Sequence, residues 1–425
     1  MKHFYLLFLL VAFISCKNDE GIEQITNPED YNSFLSSSNK KSFTRALSEI
    51  EFWSKRLRAD SSGVGDLGPL ANAYTLLFET TGEVSYLLSA EIILQKANSV
   101  AASNKDFYTR SLAQNYITQH RFKEARYILE KSFKGISNKR ATQLLLFDVY
   151  LELGEYNNAN IVLGKLKNTN DYNYLIRLAK WNDHNGNLDA AIRNLEAAKK
   201  IAESRKSSIL QIWTYTNLAD YYGHAGRINE SYELYIKTLQ LQSDHAYAKK
   251  QIAWIVYSYE KNTKETIRIL DSIMINYNAP NYSLFKAEVL DYSGATSEAN
   301  NLKKKFITVV EDNNYGDMYN SYLIEYYSEI NPKKALEIAE KEITNRATPE
   351  IYALLAFAQF KVGDKEKALH TITNFVAGKT FDPKALYFSQ LIYNVTNEKE
   401  KVSILASYLK EASFELGPLL FEKIN

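Results

Sequence analysis

A single cysteine, Cys16, occurs in 425 residues, so no disulfide can form within the chain and no cysteine-rich zinc site can be built. Proline and glycine are also scarce, at 7 and 16. All-β and loop-rich chains need frequent turn residues, so this scarcity argues against both and leaves long helices. An excess of either charge is missing too, since 51 Lys and Arg stand against 50 Asp and Glu, well mixed along the chain. Nucleic-acid binders carry a basic excess or stripe, so nucleic acid is not expected as a partner. There is no P-loop, no G-x-S-x-G elbow, no H-E-x-x-H pair and no G-x-G-x-x-G loop. Carboxylate pairs occur without distinctive spacing, so neither catalysis nor a cofactor nor a metal is expected. Aromatic residues are abundant, with 31 Tyr and 20 Phe. Their expected role is as knobs between packed helices.

The first sixteen residues, MKHFYLLFLLVAFISC, place Lys2 ahead of an apolar run from Phe4 to Ile14 and put the small Ser15 before Cys16. That order is the grammar of an export signal. The run is too short for a spanning helix, which needs about twenty apolar residues. The segment resembles a bacterial lipoprotein signal, with Phe13 where that family prefers Leu. The resemblance implies removal of residues 1–15 and lipidation of Cys16, and several acyl chains at about 0.8 kcal/mol per buried CH₂ make such an anchor lasting. Asp19 and Glu20 after Lys17 resemble the export signal that carries some lipoproteins of the Bacteroidetes to the cell surface. The expected location is the outer membrane, exposed at the surface or, alternatively, on the periplasmic face. A polar stretch including SSSNKKS at 36–42 follows, and residues 16–41 are expected to form a flexible stalk, having too little apolar surface to fold alone.

From residue 42 to 425 the chain is organised by repetition. The segments QHRFKEA, LGEYNNA, NGNLDAA, AGRINES, EKNTKET, SGATSEA, EINPKKA and VGDKEKA end on Ala125, Ala159, Ala191, Ser231, Thr266, Ala299, Ala335 and Ala368, at spacings of 32 to 40 residues. Each joins two amphipathic stretches, and the small residue opening the second lets two helices cross closely. Leu112, Ala113 and Tyr116, then Leu146, Phe147 and Tyr150, then Leu218, Ala219 and Tyr222 match the first helix of the tetratricopeptide repeat. Phe147 and Trp254 stand where that repeat has glycine. The resemblance implies an all-α solenoid of about nine to ten helix pairs wound into a right-handed superhelix. Less regular units flank the ladder, one around Ala90 and one at Lys401, reached by a further 33-residue step. Upstream, Phe43, Leu47, Ile50, Trp53 and Leu57 share one face of a helix that Ser42 is placed to cap and that covers the first unit. The 40-residue step before Ser231 is expected to hold a lengthened pair.

In the family resembled, first helices line a concave groove that selects the ligand. Carried over, the groove would contain Arg110, Gln114, Asp148, Glu152, Arg177, Lys180, Trp213, Asp220, Glu288 and Tyr292. Alternating charge with aromatic anchors suits a partner protein or peptide. The expected function is a membrane-tethered interaction scaffold, with nutrient or glycan capture of the SusD type as the alternative. His120, His184 and His224 fall at the ends of successive first helices, where the helix dipole favours their charge.

Overall fold

The computed structural model describes residues 24–57, 63–135 and 138–424, and among these there are helices and no strand. Two N-terminal helices, α1 (Pro28–Tyr31) and α2 (Lys41–Arg56), precede ten pairs. The first four pairs are α3 (Val64–Thr81) with α4 (Val84–Val100), α5 (Lys105–Thr118) with α6 (Phe122–Phe133), α7 (Lys139–Glu152) with α8 (Tyr156–Leu166), and α9 (Tyr172–His184) with α10 (Leu188–Ser204). Then come α11 (Ser208–His224) with α12 (Ile228–Leu241), α13 (Ala246–Ser258) with α14 (Thr263–Met274), and α15 (Pro280–Tyr292) with α16 (Thr296–Asp312). The last pairs are α17 (Asn320–Ile330) with α18 (Pro332–Asn345), α19 (Pro349–Lys361) with α20 (Lys365–Thr371), and α21 (Pro383–Val395) with α22 (Lys399–Glu411), after which α23 (Ser413–Phe421) ends the array. Helices α10 and α11 have 17 residues each, which accounts for the 40-residue step.

The small-residue ladder is the spine of this solenoid of tetratricopeptide-like pairs. Each of its eight members is the fourth residue of a second helix, and none is more than 1% exposed. Ala90, at 0%, takes the same role three residues later in α4. In the last pair the fourth position is Val402, one residue beyond the Lys401 that the 33-residue step predicts. The cores follow suit. One buried cluster runs through α3 to α9, another through α9 to α15 and a third through α16 to α23, so each pair is stabilised mainly by its neighbours.

The array also closes on itself. The Asn278 N–H donates to the Thr81 carbonyl at 2.6 Å, and Val84 joins the cluster around Phe306. The linker ahead of the seventh pair thus meets the turn of the first. Likewise the linker ahead of the ninth meets the turn of the third, where a Cβ added at Gly154 would stand 2.7 Å from the Ala347 carbonyl oxygen, at a φ of +75° that itself favours glycine. Phe381, ahead of the tenth pair, lies against Gly186 in the turn of the fourth. These meetings recur at a fixed offset of six pairs, so one superhelical turn takes six units and the concave face becomes an enclosed lumen.

The expected stalk is corrected over its described part. Residues 24–40 lie docked on the outer helices α12 and α14. Tyr31 is 1% exposed and donates to Glu265 at 2.7 Å, Leu35 is buried, and the Ile25 and Thr26 N–H groups donate to Glu260. Asn27 caps α1 by accepting from the Glu29 N–H, with Pro28 as the first helical residue, where a missing N–H costs nothing. Ser42 is also not the cap of α2: it lies within the helix and donates its hydroxyl and N–H to Asp244. The helix does cover the first pair, packing on α3, although Leu47 stays exposed. Tyr31→Phe is expected to cost about 1–2 kcal/mol, since Glu265 keeps its Arg268 partner and only one hydrogen bond is lost. Faster amide exchange in residues 25–35 alone is the measurable sign, and unchanged exchange there would show the bond to contribute nothing.

Candidate functional site: a charged lumen

The first helices of the pairs face inward, and the lumen they line falls into adjoining chambers of about 560, 500 and 770 Å³. Lys384 and Glu325 border all three. Lys384 is the second residue of α21, following Pro383 and the Asp382 that caps the helix by accepting from the Ala385 N–H at 2.7 Å. Its amine donates to both Glu325 oxygens at 3.0 and 2.8 Å. Enclosure alone lowers an amine, but here Glu325 and then Glu288 outweigh it and the Lys384 pKa rises. The side chain nevertheless remains 45% accessible, so the pair stands within a space that holds solvent.

Carboxyls outnumber their partners around this post. Burial raises Asp183, Asp382, Glu152 and Glu415, and each faces at least one other carboxyl. Glu288 is pushed up to about 7, first by burial, against the pull of Lys384. Its Oε1 is buried and without a hydrogen-bond partner. Lys250 is lowered by burial, against the field of Asp220. Aromatic faces complete the widest chamber, with Trp254, Phe285, Tyr322 and Tyr326 beside Asn281 and Asn300.

Of the residues expected in the groove, Glu152 and Lys180 line the second chamber, Asp220 the first, and Glu288 the first and third. The others do not border these chambers. Arg177 is buried between α7 and α9, bonded to Asp148 at 2.6 Å and to the Leu144 and Asn173 carbonyls at 2.8 and 3.0 Å, while Lys180 reaches Asp148 at 3.5 Å. Trp213 packs edge-on to Tyr172, and Tyr292 edge-on to Tyr257, both as parts of the core. Gln114 is exposed and Arg110 half-buried on α5. Asp220 is itself engaged, accepting from Tyr235, Tyr247 and Gln251. The three histidines separate: His120 stacks on Phe122 and is lowered to about 4 by burial, His184 stacks on Tyr156, and His224 faces Glu415. Among the described residues no group of three or more His, Cys, Asp or Glu is arranged to hold a metal.

No protein-family model matches the chain, and no curated protein matches it in sequence. Among solved structures it is similar to yeast Tom70, at 13% identity and a TM-score of 0.40 over 94% of each chain. It is also similar to a chain of the APC/C hetero-tetramer Cut9–Hcn1, at 10% identity and a TM-score of 0.35 over 92% of this chain and 94% of that one. The fold assignment stands on the ten pairs and their ladder.

Sequence reasoning missed Lys384, Glu325, Lys250 and Trp254. One signal pointed at the last of these. Trp254 occupies a place that the repeat pattern gives to glycine, but so does the wholly buried Phe147, so the exchange marks the position without saying that it borders the lumen.

Proposed function

We propose that the protein is a membrane-tethered scaffold that holds a segment of a partner protein within its lumen. The observation carrying this reading is the enclosed, solvent-reachable channel in which ionisable side chains from six first helices and α23 converge on Lys384 and Glu325. Such a surface offers a peptide paired charges for its side chains and aromatic walls for its apolar ones. Lipidation of Cys16, which lies outside the described residues, supplies the tether in this reading. With residues 24–40 docked, only 17–23 separate the lipid from the array, and seven extended residues reach at most ~25 Å. The protein then works close to an outer-membrane surface, with the face of α12 and α14 turned toward the bilayer.

The test is affinity capture of the full lipidated chain from detergent-solubilised envelope, with Lys384→Glu as the control. A stoichiometric protein that co-purifies with wild type and is lost from the variant supports the scaffold. The aromatic chamber with its two asparagines favours glycan capture as the second reading. Oligosaccharide binding by calorimetry, with no protein partner recovered, would establish that one instead.

A further inference from the structure

The last helix does not end the solenoid as a cap. A cap would cover α22, yet Ile404 and Tyr408 on that helix remain 53% and 56% exposed. Helix α23 touches the α22 it follows but turns inward from it, and packs on α11, α13, α15 and α21, all of them first helices that line the lumen. The Phe414 carbonyl accepts from the Trp254 indole N–H at 3.1 Å and from the Ser258 hydroxyl at 2.6 Å. The Phe414 ring lies on α11 where there is no side chain: a Cβ at Gly223 would stand 2.8 Å from it. Leu416 and Pro418 are buried. Between them Gly417 takes φ +72° and ψ 160°, a conformation open in practice to glycine alone. A Cβ there would meet Trp254 at 2.9 Å and Glu288 Oε1 at 3.0 Å.

These contacts are those of a receptor for main chain. Two side-chain donors hold a carbonyl, a bare patch of helix seats a ring, and an indole passes over a residue without a Cβ. Resting on the scaffold reading, we infer that the segment Phe-Glu-Leu-Gly-Pro-Leu-Leu at 414–420 occupies in cis the site that receives the partner segment. The partner it fits carries an aromatic residue, then Gly-Pro three residues on, then aliphatic residues. The site therefore rests closed. A joined segment competes at an effective concentration of about millimolar or more, so an incoming segment must bind well or be held nearby. A shared membrane surface meets the second condition.

The experiment uses the full chain and a fluorescent peptide of residues 412–424. Gly417→Val in the chain strains the tail and drives its Cβ into Trp254, freeing the site. The peptide is expected to bind this variant at least about tenfold more tightly than wild type, because the competent fraction rises. Adding Trp254→Phe and Ser258→Ala should abolish the gain. Equal binding to both chains, binding to neither, or a gain that survives loss of both donors overturns the inference. If Gly417→Val lowers helix content, Phe414→Ala frees the tail without backbone strain, and the same comparison is made with it. A partner captured from the envelope and lost with Lys384→Glu, with no peptide binding here, would leave the scaffold standing and remove only the cis occupant.

Discussion

Arg177→Ala is expected to destabilise the fourth pair by about 2–3 kcal/mol, the cost of a largely buried acid losing its nearer base and keeping only Lys180 at 3.5 Å. The guanidinium does three jobs between α7 and α9: it pairs Asp148, and it donates to two carbonyls, those of Leu144 and Asn173. Alanine leaves Asp148 with only Lys180 and removes the bridge between the helices, although both carbonyls keep their helix N–H partners. Few waters can compensate, because only 9% of the Arg177 side chain and 16% of Asp148 are accessible. In a solenoid such a loss stays local, so global melting is a poor gauge. Amide exchange should accelerate in α7 to α10 and hardly at all beyond α15. Replacing both partners, as Arg177→Met with Asp148→Leu, should recover much of the loss, since matched apolar groups carry no stranded charge. If Arg177→Ala instead leaves exchange unchanged and only weakens a partner, the residue belongs to the binding surface that its sequence position suggests.

The contrast marks where sequence reading works in this chain. Ala125 through Ala368 announce the ladder because close helix crossing tolerates only small residues, and that demand repeats in every unit. The N-terminal stretch escaped because composition was averaged over it. Ile25, Tyr31, Phe34 and Leu35 stand among Asn, Ser and Asp, and those four apolar residues suffice once α12 and α14 provide a surface. Docking on a neighbour requires less apolar area than folding alone.

The lumen was less legible for a geometric reason. A repeat pattern says which face of each first helix turns inward, and Glu152, Lys180, Asp220 and Glu288 do line the space. It does not say how many pairs complete a turn. That number is set by small rotations added over six units, and it alone decides that residue 154 meets residue 347 and that Phe414 reaches Trp254. Arg177 and Trp213 were misjudged for a related reason: a long side chain at an inward position can fold back between two helices and satisfy partners there.

The second large effect concerns Glu288. Its folded pKa is about 7 against an ordinary value of 4.5, so the folded chain keeps a proton that the unfolded chain releases. Stability contributed at low pH is therefore lost as the pH rises from about 4.5 through about 7, by at most ~3.5 kcal/mol at ~1.4 kcal/mol per unit, and stays lost above that. The groups around it decide whether the loss is local. Lys384, the Tyr257 hydroxyl and Lys423 favour the charged form and Glu325 opposes it, while Gly417 stands so close that an added Cβ would lie 3.0 Å from Oε1. Ionisation thus desolvates a charge beneath α23, and the tail should loosen before the pairs do. In wild type, exchange in residues 413–421 should quicken between pH 5 and 8 beyond the intrinsic rate, whereas Glu288→Gln should hold it flat and raise stability at pH 8. Coincident profiles for the two chains would mean that water in the lumen hydrates the carboxylate. The tail would then owe its place to Trp254, Ser258 and its own leucines alone.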